Sequence, residues 1–250
     1  GFRWSTNFNI AFNKNKVLEL AENQTSLLTS AYFDQTYNSQ PTYIAKKGYS
    51  MGMMYGYMYE GTYKYEDFYK SGDTYVLRPG VPYFSSENNT QPGMPKYKDL
   101  NGDGIKAAIT YKFCFKAKVN EEVARRRGFF YFEYKGFDLS IFFQWSYGND
   151  VLNANRLFFE NVNNSRNLNQ YATYADRWTP ENPTSNIPVA KNSSSNKVVS
   201  SRVIEDGSFL RLKTLTLGYT LPKKALRKWG ISTARVYVAG QNLWTISGYS

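Results

Sequence analysis

"FFYFEYKGFDLSIFFQWSYG", Phe129 to Gly148, decides how the rest of the chain is read. A two-residue turn at Lys135-Gly136, with glycine supplying a positive φ, folds it into a hairpin. Tyr134 then faces Phe137, Phe132 faces Leu139 and Phe130 faces Ile141. Phe143, Trp145 and Tyr147 extend the same apolar face. The other face carries Glu133, Asp138, Ser140, Gln144 and Ser146, interrupted by Phe129, Tyr131 and Phe142. The register set by the turn is also the one the hydrophobic pattern requires, because a one-residue slip would exchange the two faces. Glu133 opposite Asp138 is a mild electrostatic cost of that register.

The same period of two recurs on either side. In "GFRWSTNFNIAFN", residues 1–13, Phe2, Trp4, Thr6, Phe8, Ile10 and Phe12 alternate with Arg3, Ser5, Asn7, Asn9, Ala11 and Asn13. The alternation lasts about twelve residues, longer than the usual five or six of a soluble strand and enough for a membrane barrel strand of about nine to eleven. In "SFLRLKTLTLGYTLP", residues 208–222, Leu210 and Leu212 have one parity and Leu215, Leu217 and Tyr219 the other. A bulge near Lys213-Thr214 reconciles them. "KKALRKWGI" then reads as a short turn or helical bend closing at Gly230. The next strand sets Ala234, Val236 and Val238 against Arg235, Tyr237 and Gln241. "NEEVARRRG" has a full set of short-helix signals, from Asn120 as N-cap to Gly128 just past the end.

Between these units run long polar stretches. One, from Val151 to Ser201, is rich in Asn, Ser and Pro. Such a loop is out of place in a compact soluble domain, but long external loops joined to short internal turns are the rule in outer-membrane barrels. A second stretch, residues 49–77, is rich in Tyr and Gly, with a tyrosine platform for a sugar or peptide as the less favoured of its readings. The methionines Met51, Met53, Met54 and Met58 read as packing filler. The residues by themselves therefore give an all-β chain. A transmembrane antiparallel β-barrel with long polar external loops is favoured over a surface or secreted glycan-binding β-sandwich.

Composition narrows the chemistry. The 250 residues contain no histidine and one cysteine, Cys114, so a catalytic triad, a histidine zinc site and an internal disulfide are excluded within the chain. No carboxylate pair stands in a catalytic setting, and no enzyme is expected. Charged residues make up 20% and aromatics 18%, and the formal net charge is +11. Lys106 to Arg127 holds seven Lys/Arg against two Glu, yet no nucleic-acid module is present, and we expect no nucleic-acid partner. "KDLNGDG", residues 98–104, is written like the first half of a calcium loop, which makes Asp99, Asn101 and Asp103 a candidate structural calcium site. The twelfth position, where an EF-hand places its bidentate glutamate, is Thr110. No other cofactor is expected.

Five motifs occur in order: "DLNGDG", "YKGFDLSIFFQWSYGNDVLN", "DRWTPENPTSNIP", "SRVIEDGSFLRLKTLTLGYTLPKK" and "RVYVAGQNLWTISGYS". Together they resemble the C-terminal barrel part of the SusC/RagA family of TonB-linked outer-membrane proteins of Bacteroidota. The resemblance spans nearly the whole chain. It implies that residues 1–250 form part of a large, plugged barrel in the outer membrane of a Gram-negative cell, with the plug domain, the earlier strands and the final strands outside the sequence. It further implies import of oligosaccharides or peptides, driven by TonB through the absent N-terminal part, beneath a SusD-like lipoprotein lid. Phe2, Trp4, Phe8, Phe137, Leu139, Ile141, Phe143 and Trp145 would meet outer-membrane lipid. Asn7, Asn9, Ser140 and Gln144 would face the lumen. The loops around Tyr55–Tyr65 and Asn155–Pro188 would point outward, and the chain holds sequence for roughly eight to ten strands.

Overall fold

A computed structural model describes residues 1–30, 37, 40–100, 123–161, 169–191 and 197–249. In chain order the strands are β1 (Arg3–Asn13), β2 (Ser26–Thr29), β3 (Tyr43–Lys46), β4 (Met53–Met54), β5 (Tyr59–Thr62), β6 (Phe68–Ser71) and β7 (Thr74–Leu77). They continue with β8 (Pro95–Tyr97), β9 (Val123–Tyr134), β10 (Phe137–Tyr147), β11 (Asp150–Leu152), β12 (Ile204–Asp206), β13 (Phe209–Thr220) and β14 (Arg235–Ser247). Two short helices, α1 (Ala154–Phe159) and α2 (Lys223–Leu226), interrupt them. Among the described residues no helix is long and apolar enough to cross a membrane.

The chain divides into two compact units. The first is an antiparallel sheet in the order β1-β9-β10-β13-β14, with strands of 11 to 13 residues. Its centre is the hairpin read from the sequence. Lys135 and Gly136 have φ of 47° and 89°, the two positive values of a type I′ turn, and Tyr134 pairs with Phe137. The bulge also lies where the parity switch required it. Lys213 is the extra residue against β10, between Phe142 and Phe143, and opposite Lys213 the β14 strand carries two residues, Asn242 and Leu243. Leu210, Leu212, Leu215 and Leu217 thereby all reach one face. The α2 bend ends at Gly230, whose φ of 69° is a left-handed cap.

Two expectations are corrected here. The helix anticipated over Asn120–Gly128 is strand from Val123 onward, while its first residues fall outside the described ones. Val123–Gly128 pairs with β1 on one side and β10 on the other, so ladder bonds on both edges outweigh a weak local propensity. Only five strands have barrel length among the described residues, rather than eight to ten. The remaining sequence is spent on the second unit.

That unit gathers Lys16–Ala117 and Val151–Glu205. Its polar stretches are folded around their own small cores. Tyr37, Leu157, Val199 and Val203 form one cluster, and Tyr63, Phe68, Leu77 and Met94 another. Trp178, from "DRWTPENP", is buried, and its backbone N–H donates to Ile187 O at 2.8 Å. Its ring lies where a Cβ on Gly93 would be, so a glycine is needed at that position. Met53 and Met54 are buried as filler, but Met51 is exposed.

Glu160 anchors the α1 end of this unit. Its carboxylate is buried and accepts from Arg202 Nη2 at 2.6 Å and Thr173 Oγ1 at 2.8 Å. Arg156 Nε lies 3.4 Å from it and 3.1 Å from Glu205. Removing one member of such a buried network strands the others. Glu160→Ala should therefore open this unit by about 3 kcal/mol. Limited proteolysis of the intact protein should show faster cutting within residues 151–205, with the five-stranded sheet still protected.

Candidate functional site

The sheet's two faces differ in chemistry. One carries Trp4, Phe8, Ile10, Phe132, Phe137, Leu217, Val236 and Val238, and much of it is open, with Trp4 65% and Val238 77% exposed. Rings knit across strands on this face: Phe8 meets Trp145 at 5.6 Å and Phe137 meets Tyr219 at 4.5 Å between centroids. Trp145 packs over Gly128, its ring about 3.5 Å from where a Cβ would sit, and reaches Phe8 on β1. An apolar face this broad is what a barrel wall turns to lipid. An apolar hollow of about 660 Å³ lies beside Phe143, Trp145 and Ile246 at the strand ends.

The opposite face is the candidate functional surface. Paired residues share a face, so it can be followed rung by rung across all five strands. Asn9–Arg127–Gln144–Arg211–Thr245 make one rung. Asn7–Phe129–Phe142–Thr214–Gln241 make the next. Ser5–Tyr131–Ser140–Thr216–Ala239 follow, and then Arg3–Glu133–Asp138–Gly218–Tyr237 beside the tight turn. Asn7, Asn9, Ser140 and Gln144 therefore lie together on this face, as the sequence led us to expect. The aromatics that interrupted the sequence pattern, Phe129, Tyr131 and Phe142, are part of it too.

The rung nearest the tight turn is locked by charge. Arg235 Nε donates to Asp138 Oδ1 at 2.9 Å, and Nη2 donates to Oδ2, making the pair bidentate. Gly218 lies beneath the pair, and a Cβ there would fall 2.6 Å from Asp138 Oδ1 and against the guanidinium. Arg3 Nη1 stands 3.8 Å from Glu133, an exposed contact. The repulsion expected between Glu133 and Asp138 is thus met by a cation on each side. Sequence reading missed Arg235 as the partner. The signal was the lone glycine inside "LTLGYTL", which marks a close approach in a strand.

In the second unit the tyrosines turn mostly inward. Tyr55, Tyr63 and Tyr97 are buried, so they serve packing rather than an open platform. Burial raises the pKa of the Tyr59, Tyr63 and Tyr97 hydroxyls, so they stay protonated. Tyr59 Oη donates to Asn186 O, and Tyr63 Oη to Pro82 O, each at 2.6 Å. Lys64, its pKa lowered by burial, binds Thr184 O at 2.9 Å and Ser185 O at 2.7 Å, tying the Tyr-rich stretch to the "ENPTSN" stretch. Of the candidate calcium residues, Asn101 and Asp103 lie outside the described residues, and Asp99 alone is described.

No family model matches the chain. It is 32% identical, over 99% of its length, to TonB-dependent receptor P3 of Formosa agariphila. It is 33% identical, over 97% of its length, to TonB-dependent receptor P26 of the same organism. Its fold matches a structure of the RagAB peptide transporter with a TM-score of 0.70 at 20% identity, over 99% of this chain and 24% of that one. The same importer in an 'open-open' state matches at 0.69. Over nearly its whole length the chain is similar to a stretch of TonB-dependent receptors, and it shares the fold of the matching stretch of RagAB. It spans under a quarter of the length of the receptors it matches, 23% of the first and 22% of the second. The sheet is part of the wall of a large β-barrel in the outer membrane, and the β-sandwich is set aside.

In a TonB-dependent receptor the lock at Asp138 can be tested on the intact barrel. Gly218→Ala should lose about 1–2 kcal/mol, since its methyl displaces a charge-assisted pair whose arginine is partly solvated. In an Asp138→Asn background the same alanine should cost under half of that. The midpoint temperature for loss of heat-modifiable migration, measured for the wild type, both single variants and the double variant, provides the cycle.

Proposed function

We propose that the full-length receptor imports a nutrient across the outer membrane, energised by TonB, with a SusD-like lipoprotein as its surface lid. The cargo class is an oligosaccharide or a peptide. One observation carries this reading: five strands of barrel length set an open apolar face against a continuous polar one. A wall with that division serves a water-filled or plugged passage through lipid. The matched relatives are named TonB-dependent receptors, and the matched structures are described as a peptide transporter or importer. Both support transport over binding alone. The tight turn at Lys135-Gly136 suits the periplasmic end, and the long connections, residues 14–122 and 148–208, leave from the opposite, cell-surface end.

The test is growth of the native host without the full-length gene, on a panel of peptides and oligosaccharides each offered as sole carbon source. Growth on one cargo class should fail and return with the wild-type gene. A proton uncoupler should abolish uptake of that cargo by the complemented strain but leave its surface binding intact. Unchanged growth on every cargo, or uptake indifferent to the uncoupler, would overturn the reading.

A further inference from the structure

Charge is unevenly spread along the polar face. On the five long strands the acids are Glu133 and Asp138, both beside the tight turn and both facing cations. Six residues away along the strands, or roughly 20 Å, lies the rung holding Arg127 and Arg211. These two arginines pair with opposite edges of Gln144 and so stand two strand spacings apart, about 10 Å. Arg211 Nε donates to Thr245 Oγ1 at 3.1 Å, and its guanidinium lies 5.2 Å from the Phe209 ring centroid. Lys213, displaced by the bulge, bonds Asn242 Oδ1 at 3.1 Å. The partners seen for Arg211 and Lys213 are neutral. Among the described residues of these strands no acid lies within reach of this rung.

The neighbouring rung is aromatic. Phe129 and Phe142 sit directly opposite each other, one side-chain repeat, about 6.6 Å, from the arginines. Phe129 is 38% exposed. Two guanidiniums flanking an amide, above a pair of rings, is a combined surface. A guanidinium offers a planar fork to carboxylate or sulfate oxygens, an amide and a hydroxyl bond sugar hydroxyls, and a ring takes the apolar face of a pyranose.

Building on the importer reading, we propose that the Arg127–Gln144–Arg211 rung with Phe129 and Phe142 is a selectivity station for acidic oligosaccharides, those bearing uronate carboxylates or sulfate esters. It lies toward the cell-surface end of the wall, where it raises the local concentration of anionic cargo before the cargo goes deeper. The attraction is salt-dependent, because the rung is open to solvent.

The experiment uses the purified full-length receptor and its Arg127→Gln/Arg211→Gln double variant. The probes are a short oligogalacturonate, a sulfated galactan oligosaccharide, a neutral galactan oligosaccharide and an oligoglutamate peptide, each titrated at low and at high NaCl. At low salt an acidic sugar should bind the wild type about tenfold more tightly than the neutral one, the sum of two exposed charge contacts. Salt should erase that margin, and the double variant should lose it while keeping its affinity for the neutral sugar. The uronate and sulfate arms identify which anion is preferred. Equal affinity for acidic and neutral sugars, or a double variant that keeps the margin, overturns the proposal. So does an oligoglutamate that gains as much as the acidic sugars, which would make the rung a general anion site. A charge margin that fails while the deletion strain still loses uptake leaves the importer reading standing. Unaffected uptake in the deletion strain sinks that reading instead, whatever the titrations give.

Discussion

Hydrocarbon has no water to satisfy a backbone N–H or C=O, and each one left unpaired costs several kcal/mol. Strands in a barrel wall must therefore bond to both neighbours along their whole length, and register becomes a strict constraint. The Lys135-Gly136 turn is where this chain meets it. Two consecutive positive φ values bring β9 and β10 together with Tyr134 opposite Phe137, and the pairing runs unbroken to Tyr147 opposite Ala124. β1 docks on the far edge of β9 with no register shift. β13 needs one, and the bulge at Lys213 supplies it without turning any leucine to the polar face.

Glycines do different work on the two faces of this wall. On the apolar face, Trp145 packs over Gly128 and reaches Phe8, giving a ring contact that spans three strands. On the polar face, Gly218 leaves a gap across which Arg235 reaches Asp138, giving an ion pair that also spans three strands. At Gly218 the missing side chain is what lets two longer ones meet over an intervening strand, whereas at Gly128 a Cβ would only make ordinary contact with the rings. A strand glycine weakens its own ladder a little, and here it is offset by a contact that ties next-nearest neighbours together.

The wall was legible in the sequence because its information is local. Period-two alternation, one turn dipeptide and one parity switch are enough to give the two faces, the hairpin register and the bulge. The second unit was not legible, because its cores join residues far apart in the chain. Tyr37 meets Leu157 and Val199, and Lys64 meets Ser185, and no periodicity announces either. Its tyrosines left a platform reading open because composition reports ring content without reporting which way a ring points. The Val123–Gly128 segment was misread for a related reason: its caps and charges are local helix signals, whereas the strand is imposed by partners on both sides. On the polar face, parity placed Gln144 correctly, but the rung joining it to both Arg127 and Arg211 depends on β13 being its neighbour after some sixty intervening residues.

Charge placement gives an independent statement of which face is wet. Arg3, Arg127, Arg211 and Arg235, with Glu133 and Asp138, occupy positions on the polar face, while Arg126, opposite Ile10 and Trp145 near the strand end, holds a position on the apolar one. An arginine at the lipid midplane of a barrel costs roughly 2–4 kcal/mol, and this wall would incur that several times over if its faces were exchanged. Near the tight turn the charges neutralise each other across strands, so they add stiffness with little net field. At the Arg127–Arg211 rung two cations of like sign stand about 10 Å apart, a spacing at which water and salt screen most of their repulsion. Such an arrangement is inexpensive only where water reaches it. The same pattern of side chains that fixes the fold thus also identifies the face that meets water.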